Sequence, residues 1–247
     1  MGSGLAMEKL SIGRVVSETF GIIGRNLVSV GVVALVIAAA VVLLTQGVAL
    51  VAGEDTPGSL IVAGAGALLI AIVVRTIATG GITHVAVSDQ NGQRVSVGPA
   101  FATGLRLALP LLGLGLVVRL CVGLASILLV VPGLMLAMRW LVAVPARVVE
   151  CPSLGSSLAR SIVLTAGSRW RLFGLAVVLG VLGLIVQGVV VAVAKVMGGE
   201  GILVLLLQII GGTVTTSISA TGVAVCYMEL RRIREGATPG QLASVFA

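Results

Sequence analysis

The chain has 247 residues, of which 58% are hydrophobic and only 10% are charged, and its mean hydropathy is +1.21. A composition this apolar excludes a water-soluble fold of this size, because too few polar side chains are present to cover the surface. The formal charge of +7 would favour a nucleic-acid partner in a soluble domain. In a membrane protein the usual excess of basic residues on the cytoplasmic side explains it, so we expect no nucleic-acid partner.

Six apolar runs follow one another along the chain, each near or above the roughly 20 residues that a helix needs to cross hydrocarbon. They cover residues 27–52, 59–86, 105–131, 133–149, 170–196 and 201–228. None shows the two-residue alternation of a membrane β-barrel strand. The sequence therefore predicts an all-α integral membrane protein with six transmembrane helices, forming a single membrane domain over residues 1–247.

Basic residues are distributed unevenly among the connections between these runs. Only Lys195 lies in the connections on one side. Twelve lie on the other side, namely Lys9, Arg14, Arg25, Arg94, Arg106, Arg147, Arg160, Arg169, Arg171, Arg231, Arg232 and Arg234. Since Lys and Arg favour cytoplasmic connections, we expect both termini, including the tail 237–247, in the cytoplasm.

An internal repeat precedes the first and third runs. In residues 17–30 and 98–111, Phe20 and Phe101 are each followed five residues later by an arginine, Arg25 or Arg106, and then by an apolar run. A longer third copy covers residues 156–174.

We therefore predict three parallel repeats, each an amphipathic interfacial helix followed by a helical hairpin. The units are about 8–90, 95–150 and 153–236. A basic segment before any apolar run would look similar, and that alternative stays open.

The interfacial helices carry the predicted membrane anchors. In the first helix, Leu10, Val15, Phe20 and Ile23 can share an apolar side that enters the membrane or packs under the bundle. Basic and aromatic residues at headgroup level anchor the later segments. These predicted anchors are Arg160, Arg169, Trp170, Arg171, Arg231 and Arg232.

Three arginines, Arg75, Arg119 and Arg139, fall inside the apolar runs, and no Asp or Glu lies at a comparable depth. A charge in hydrocarbon is costly, so each needs a partner or a function. Three interpretations stay open. The arginines reach toward the interface or bond to carbonyls and to glutamines; they bind an anionic group, such as a lipid phosphate or a carboxylate; or they form an oligomer contact. The glutamines at similar depth are Gln46, Gln187 and Gln208.

No residue pattern indicates catalysis. His84 is the only histidine, and Cys121, Cys151 and Cys226 are isolated in the sequence, so no metal site, disulfide framework or cofactor is predicted. No nucleophile motif, P-loop or paired carboxylate is present. We therefore expect no enzyme. The stripe Thr213, Ser217 and Thr221 favours close helix packing over transport.

Two stretches, residues 131–174 and the end of the chain, contain a distinctive set of residues: Pro132, Gly133, Arg139, Pro145, Glu150, Ala159, Arg160, Ser161, Leu164, Thr165, Trp170, Arg171, Tyr227, Leu230, Arg231, Arg232, Glu235 and Gly236. In these residues the chain resembles a bacterial membrane domain that is attached to some glycerophosphodiester phosphodiesterases and also occurs alone. In that family the phosphodiesterase activity belongs to a separate soluble barrel, which this chain does not contain. The resemblance implies a stand-alone domain of the bacterial cytoplasmic (inner) membrane and no catalytic residue.

The sequence thus favours a non-catalytic membrane protein that interacts with anionic lipid or with another envelope protein. A homo-oligomer, in which the partner is a second copy of this chain, also stays open. The alternative is a small transporter or channel for an anionic or amphipathic solute.

Overall fold

The computed structural model describes residues 10–52, 57–90, 96–150, 153–199 and 201–235. Within these residues the chain forms ten α-helices and no strand, so the all-α prediction is confirmed. Lys9, Arg94, Cys151, most of the connection 53–58 and the tail 237–247 lie outside the described residues. The helices are α1 (Ile12–Arg25), α2 (Leu27–Ala52), α3 (Pro57–Gln90), α4 (Val97–Arg106), α5 (Ala108–Leu128), α6 (Val130–Trp140), α7 (Ala143–Val149), α8 (Leu154–Thr165), α9 (Arg169–Val196) and α10 (Ile202–Glu235).

Five stretches are long and apolar enough to cross a membrane. They are Leu27–Val48, Ala108–Leu128, Val130–Val149, Arg169–Val196 and Ile202–Glu235. The second predicted run, residues 59–86, lies within the 34-residue helix α3, which is not one of the five. The membrane class is thus supported, and the count of six spans stays a prediction.

The fourth predicted run, residues 133–149, is not one continuous helix. It is divided between α6 and α7, with a turn at Leu141 and Val142. Pro145 explains this break, because proline has no N–H to donate to the carbonyl four residues earlier, that of Leu141, and its ring would clash there. The same reasoning applies to Pro110 and the break at Leu107 between α4 and α5.

Short helices precede long ones at three places. Arg25 and Arg106 are the last residues of α1 and α4, and a single residue separates each from the long helix that follows. The matched phenylalanines, Phe20 and Phe101, are 46% and 39% exposed. The prediction that Phe20 shares an apolar side of α1 with Val15 is therefore wrong, since Phe20 points away from the face that Val15 buries.

The third short helix, α8, leads into α9 by a different route. Residues 166–168 connect the two helices, and Gly167 has a φ of +77°, a backbone conformation that favours glycine. The connection after α8 is therefore longer than the single residues that follow α1 and α4.

The segments predicted to be cytoplasmic meet at one end of the bundle, which we call the basic end. Arg25 contacts Asp89 at 2.8 Å and so joins α1 to the end of α3. Arg14 contacts Glu229 of α10 at 3.1 Å, and Arg171 of α9 donates to the Leu10 carbonyl at 3.2 Å. The structure thus gathers the basic segments at one end, as the charge pattern predicts.

Small residues allow the long helices to approach closely. A Cβ atom at Gly222 would lie 2.8 Å from the Leu179 side chain of α9, and one at Gly212 would lie 3.2 Å from the Ala38 side chain of α2. Thr213 donates to the carbonyl of Ile209 within its own helix, at 2.7 Å. The close approaches are made by glycines beside the polar stripe of α10, so the packing role of the stripe itself stays a prediction.

Candidate intramembrane anion site

Two adjoining cavities of about 400 and 480 Å³ lie between α9 and α10. Both are lined by Arg75 and Gln187, so they form one recess, which we call the α9 crevice. Residues of α2 and α3 also contribute to its lining. It is lined by Ala38, Val41, Val42, Arg75, Leu141, Leu175, Ala176, Leu179, Gly180, Gly183, Leu184, Gln187, Val190, Val191, Ala194, Lys195, Gly199, Val204, Gln208, Gly212, Thr215, Thr216, Ser219 and Val223.

The crevice follows rows of residues spaced four apart, which form the ridges of a packed helix surface. On α9 the row is Leu175, Leu179, Gly183, Gln187, Val191 and Lys195. On α10 a row is formed by Val204, Gln208, Gly212 and Thr216. Small members of each row leave space between the helices. From Leu175 to Lys195 the crevice extends for about 30 Å at 1.5 Å per residue, close to the thickness of the hydrocarbon core.

The charges lining the crevice are all positive. Arg75 and Lys195 line it, and no Asp or Glu does. In the part of the chain that the structure describes, no carboxylate pairs with Arg75. The charge of Arg119 on α5 is close enough to that of Arg75 to repel it. Two nearby positive charges without a counter-ion favour an anion.

Polar side chains line the crevice together with Arg75. Gln187 donates through Nε2 to Thr215 Oγ1 at 3.4 Å, so one of its two amide hydrogens stays available for another acceptor. Gln208, Thr216 and Ser219 also line the crevice. These groups could add hydrogen bonds to an anion held by Arg75.

The structure brings three of the six predicted anion-site residues together, namely Arg75, Gln187 and Gln208. Arg119 is exposed on α5, within electrostatic range of Arg75 but outside the lining. Gln46 is exposed on α2 and lines neither cavity. The structure therefore groups three of the six residues, and their role in binding an anion stays a prediction.

Arg139 lies elsewhere in the bundle. Its carbonyl accepts hydrogen bonds from Ser161 at 2.8 Å and from Thr165 at 3.3 Å, both on α8. Its Nε atom is buried and has no hydrogen-bond partner. The contacts with α8 place Arg139 toward the basic end. The membrane depth counted along the sequence instead groups Arg139 with the glutamines, in the half of the bundle away from the basic end.

Two of the predicted anchors, Arg160 and Arg231, belong to a polar cluster at the basic end. Arg160 Nε lies 2.6 Å from Glu150, and Arg231 Nε lies 3.2 Å from the same carboxylate. Both arginines also contact Glu235, and the Tyr227 hydroxyl donates to Glu150. We call these five residues the Glu150 cluster. All five belong to the residues that carry the family resemblance.

The charges in this cluster change one another's proton affinity. Burial by itself raises the pKa of the Glu150 carboxyl, but the hydrogen bonds from Arg160 and Tyr227 outweigh burial and hold the pKa below its usual range. For Arg160, burial acts to lower the pKa, and the hydrogen bonds with Glu150 and Glu235 raise it above its usual value. The cluster is thus a set of paired ions, in which Arg231 Nη1 is buried and has no hydrogen-bond partner.

The remaining predicted anchors are spread around the same end. Arg232 pairs with Glu229 at 3.8 Å. Trp170 is 86% exposed and packs edge to face with Phe173, with 6.2 Å between the ring centroids. Arg169 and Arg171 lie beside it in the first turn of α9. Exposed aromatic and basic residues at one level are typical of a membrane interface.

Lys195 and the row of α9 were not among the predicted site residues. The sequence did contain one signal for them: Gly183 lies four residues before Gln187, and Lys195 lies eight residues after it. It predicts one face of a helix but does not reveal which neighbour that face meets. For the residues that the structure describes, no group of three or more His, Cys, Asp or Glu side chains could hold a metal ion.

No family model, no curated protein and no solved structure matches the chain. The family resemblance therefore stays a prediction.

Proposed function

We propose that the protein is a non-catalytic membrane protein that binds an anionic lipid in the α9 crevice, with the anionic headgroup at Arg75. One observation carries the proposal: the crevice is lined by two cations, Arg75 and Lys195, and by no carboxylate. A phosphate or carboxylate there would neutralise charges that are otherwise costly in hydrocarbon.

The outer edge of the crevice suits an amphipathic ligand. Leu184 and Val191 on α9 are 73% and 52% exposed and border the opening. A lipid could therefore enter sideways from the bilayer and keep its acyl chains against these residues. The amides of Gln187 and Gln208 would donate to its headgroup.

The wider assignment rests on sequence patterns. The positive-inside bias supports both termini in the cytoplasm, and the family resemblance supports the bacterial cytoplasmic membrane. Six spans in three repeats is the arrangement that we propose, with α3 as the additional span. Another envelope protein, or a second copy of this chain, remains the competing partner.

Native mass spectrometry with lipid identification tests the lipid site. We expect the detergent-purified protein to retain one anionic lipid and Arg75→Gln to lose it. Arg139→Gln is the matched control, because it removes a charge from an apolar run but not from the crevice. The same lipid on both variants would overturn the proposal, provided that gel filtration shows both to be folded.

A second candidate function is passage of an anionic solute. The length of the crevice, about 30 Å, favours it, because such a recess reaches across most of the hydrocarbon. Efflux of an anionic dye from proteoliposomes, compared between the parent protein and Arg75→Gln, distinguishes the two functions. Dye release that depends on Arg75 would favour transport over lipid binding.

A further inference from the structure

A separate cleft of about 570 Å³ lies between α6 and the start of α9. One wall is the α6 face, and the other is formed by the α8–α9 connection and the first turn of α9. The lining residues are Val131, Leu134, Met135, Met138, Gly167, Ser168, Arg169, Trp170, Arg171 and Phe173. None of these lines the α9 crevice, so the two recesses are distinct.

The two walls differ in chemistry. The α6 wall is entirely apolar, and Met135 is 50% exposed within it. The α9 wall carries Arg169 and Arg171, and no Asp or Glu lines the cleft. A cationic wall facing an apolar one matches the two parts of a phospholipid, which are a phosphate and an acyl chain.

The guanidinium groups differ in how they are held. Arg171 donates through Nη1 to the Leu10 carbonyl at 3.2 Å, so its position is fixed by a neighbouring segment. The Nε atom of Arg169 is buried and has no hydrogen-bond partner. Among the described residues no carboxylate pairs with Arg169, so a phosphate in the cleft would supply the counter-charge that its guanidinium lacks.

The cleft also lies at the depth of lipid headgroups. The α8–α9 connection belongs to the basic end, where Arg234 donates to the Ala166 carbonyl. The exposed Trp170 is next to Arg169, as is typical of residues at the interface.

We propose that this cleft binds one anionic phospholipid, with the phosphate at Arg169 and Arg171 and an acyl chain along α6. This site is independent of the α9 crevice. Its occupant lies at the interface, whereas the crevice places an anion inside the hydrocarbon.

Fluorescence of Trp170 tests the proposal directly. The chain has two tryptophans, so Trp140→Phe leaves Trp170 as the only reporter. Phosphatidylglycerol with brominated acyl chains is titrated into the delipidated protein in detergent. We expect saturable quenching. The half-point, which is the lipid concentration that gives half of the maximal quenching, should be about ten-fold higher in Arg169→Gln, because one charge-assisted hydrogen bond is lost.

Two control variants separate this site from other basic residues. Arg106→Gln removes an exposed arginine that lies at the basic end but outside the cleft. Arg75→Gln removes the charge of the crevice. Neither is expected to move the half-point, so failure of the crevice proposal would leave this result unchanged.

Two outcomes would overturn the proposal. One is an unchanged half-point in Arg169→Gln. The other is equal quenching by brominated diacylglycerol, which has no phosphate and would reveal an apolar surface only. Misfolding is not expected for Arg169→Gln, since no hydrogen bond of its Nε atom is lost. Met135→Phe provides a second test, because it narrows the cleft without changing a charge and should also raise the half-point.

Discussion

The hydroxyl of Tyr227 donates a hydrogen bond to the carboxylate of Glu150, which lies 77 residues earlier in the chain. Tyr227 is fully buried, and the side chain of Glu150 is only 15% exposed. This contact joins the end of α7 to α10. Because Arg160 of α8 meets the same carboxylate, Glu150 connects three helices at the basic end.

Replacing Glu150 should therefore destabilise the fold. We expect Glu150→Gln to lower the free energy of unfolding by about 2 kcal/mol, because Arg160 and Arg231 lose one of the two carboxylates that they share and keep only Glu235. Unfolding titrations in mixed detergent micelles measure the change. Glu18→Gln is the control, since Glu18 pairs with Arg25 where both side chains are exposed, and its effect should stay below about 1 kcal/mol. Equal effects would contradict the role assigned to Glu150.

Acid should remove the same stabilisation. The pKa of Glu150 is held below the ordinary value of 4.5 by its hydrogen bonds with Arg160 and Tyr227. A carboxyl with a lowered pKa in the folded state stabilises that state above its ordinary pKa and loses this contribution as the pH falls through the folded-state pKa. The stability difference between the parent protein and Glu150→Gln should be full near neutral pH and shrink in acid below 4.5. A stability difference that grows in acid would contradict the lowered pKa of Glu150.

Gly133 should tolerate no side chain. A Cβ atom there would lie 2.7 Å from the backbone Cα of Ser126, so α5 and α6 would have to move apart. We expect Gly133→Ala to cost about 1–3 kcal/mol. Gly123→Ala, also in the α5–α6 hairpin, places its Cβ in open space, and it should be neutral or slightly stabilising. Thermal aggregation of both variants in detergent compares them. A stable Gly133→Ala protein would contradict the close approach of these helices.

The orientation in the membrane can be read from two introduced cysteines. Met197→Cys lies between α9 and α10, and Gly155→Cys lies on α8 at the basic end; both positions are exposed. In a background with Cys121, Cys151 and Cys226 replaced by alanine, an impermeant maleimide added to intact spheroplasts should label only Met197→Cys. Labelling of Gly155→Cys should require permeabilisation. The reverse pattern would place the termini outside the cell.

Hydropathy and charge predicted much of this architecture because both act locally along the chain. An apolar run must be helical in a membrane, and basic residues such as Arg14 and Arg160 must remain near water. The sequence therefore indicated the long helices and the common end of the basic segments. Pro145 also carried a local signal, and its position should have predicted the break between α6 and α7.

The candidate site was harder to predict because it depends on how the helices are rotated against one another. Arg75, Gln187 and Gln208 lie on α3, α9 and α10, which meet because α10 packs against both α3 and α9. No spacing within one helix reveals that contact. Arg139 had a plausible depth when counted along a straight span. The turn after Trp140 and the contacts with α8 change that depth.

Every ion pair in the described part of the chain lies at the basic end, and this has a mechanical consequence. At the opposite end, the described helices meet through small and apolar side chains, such as Gly212 and Ala38, and dispersion contacts of this kind are individually weak. The bundle is therefore held by ion pairs at the basic end and by weaker apolar contacts at the opposite end. The Lys195 end of the α9 crevice lies at this opposite end. We therefore expect this part of the crevice to widen more easily than the basic end, because no ion pair described above would have to break.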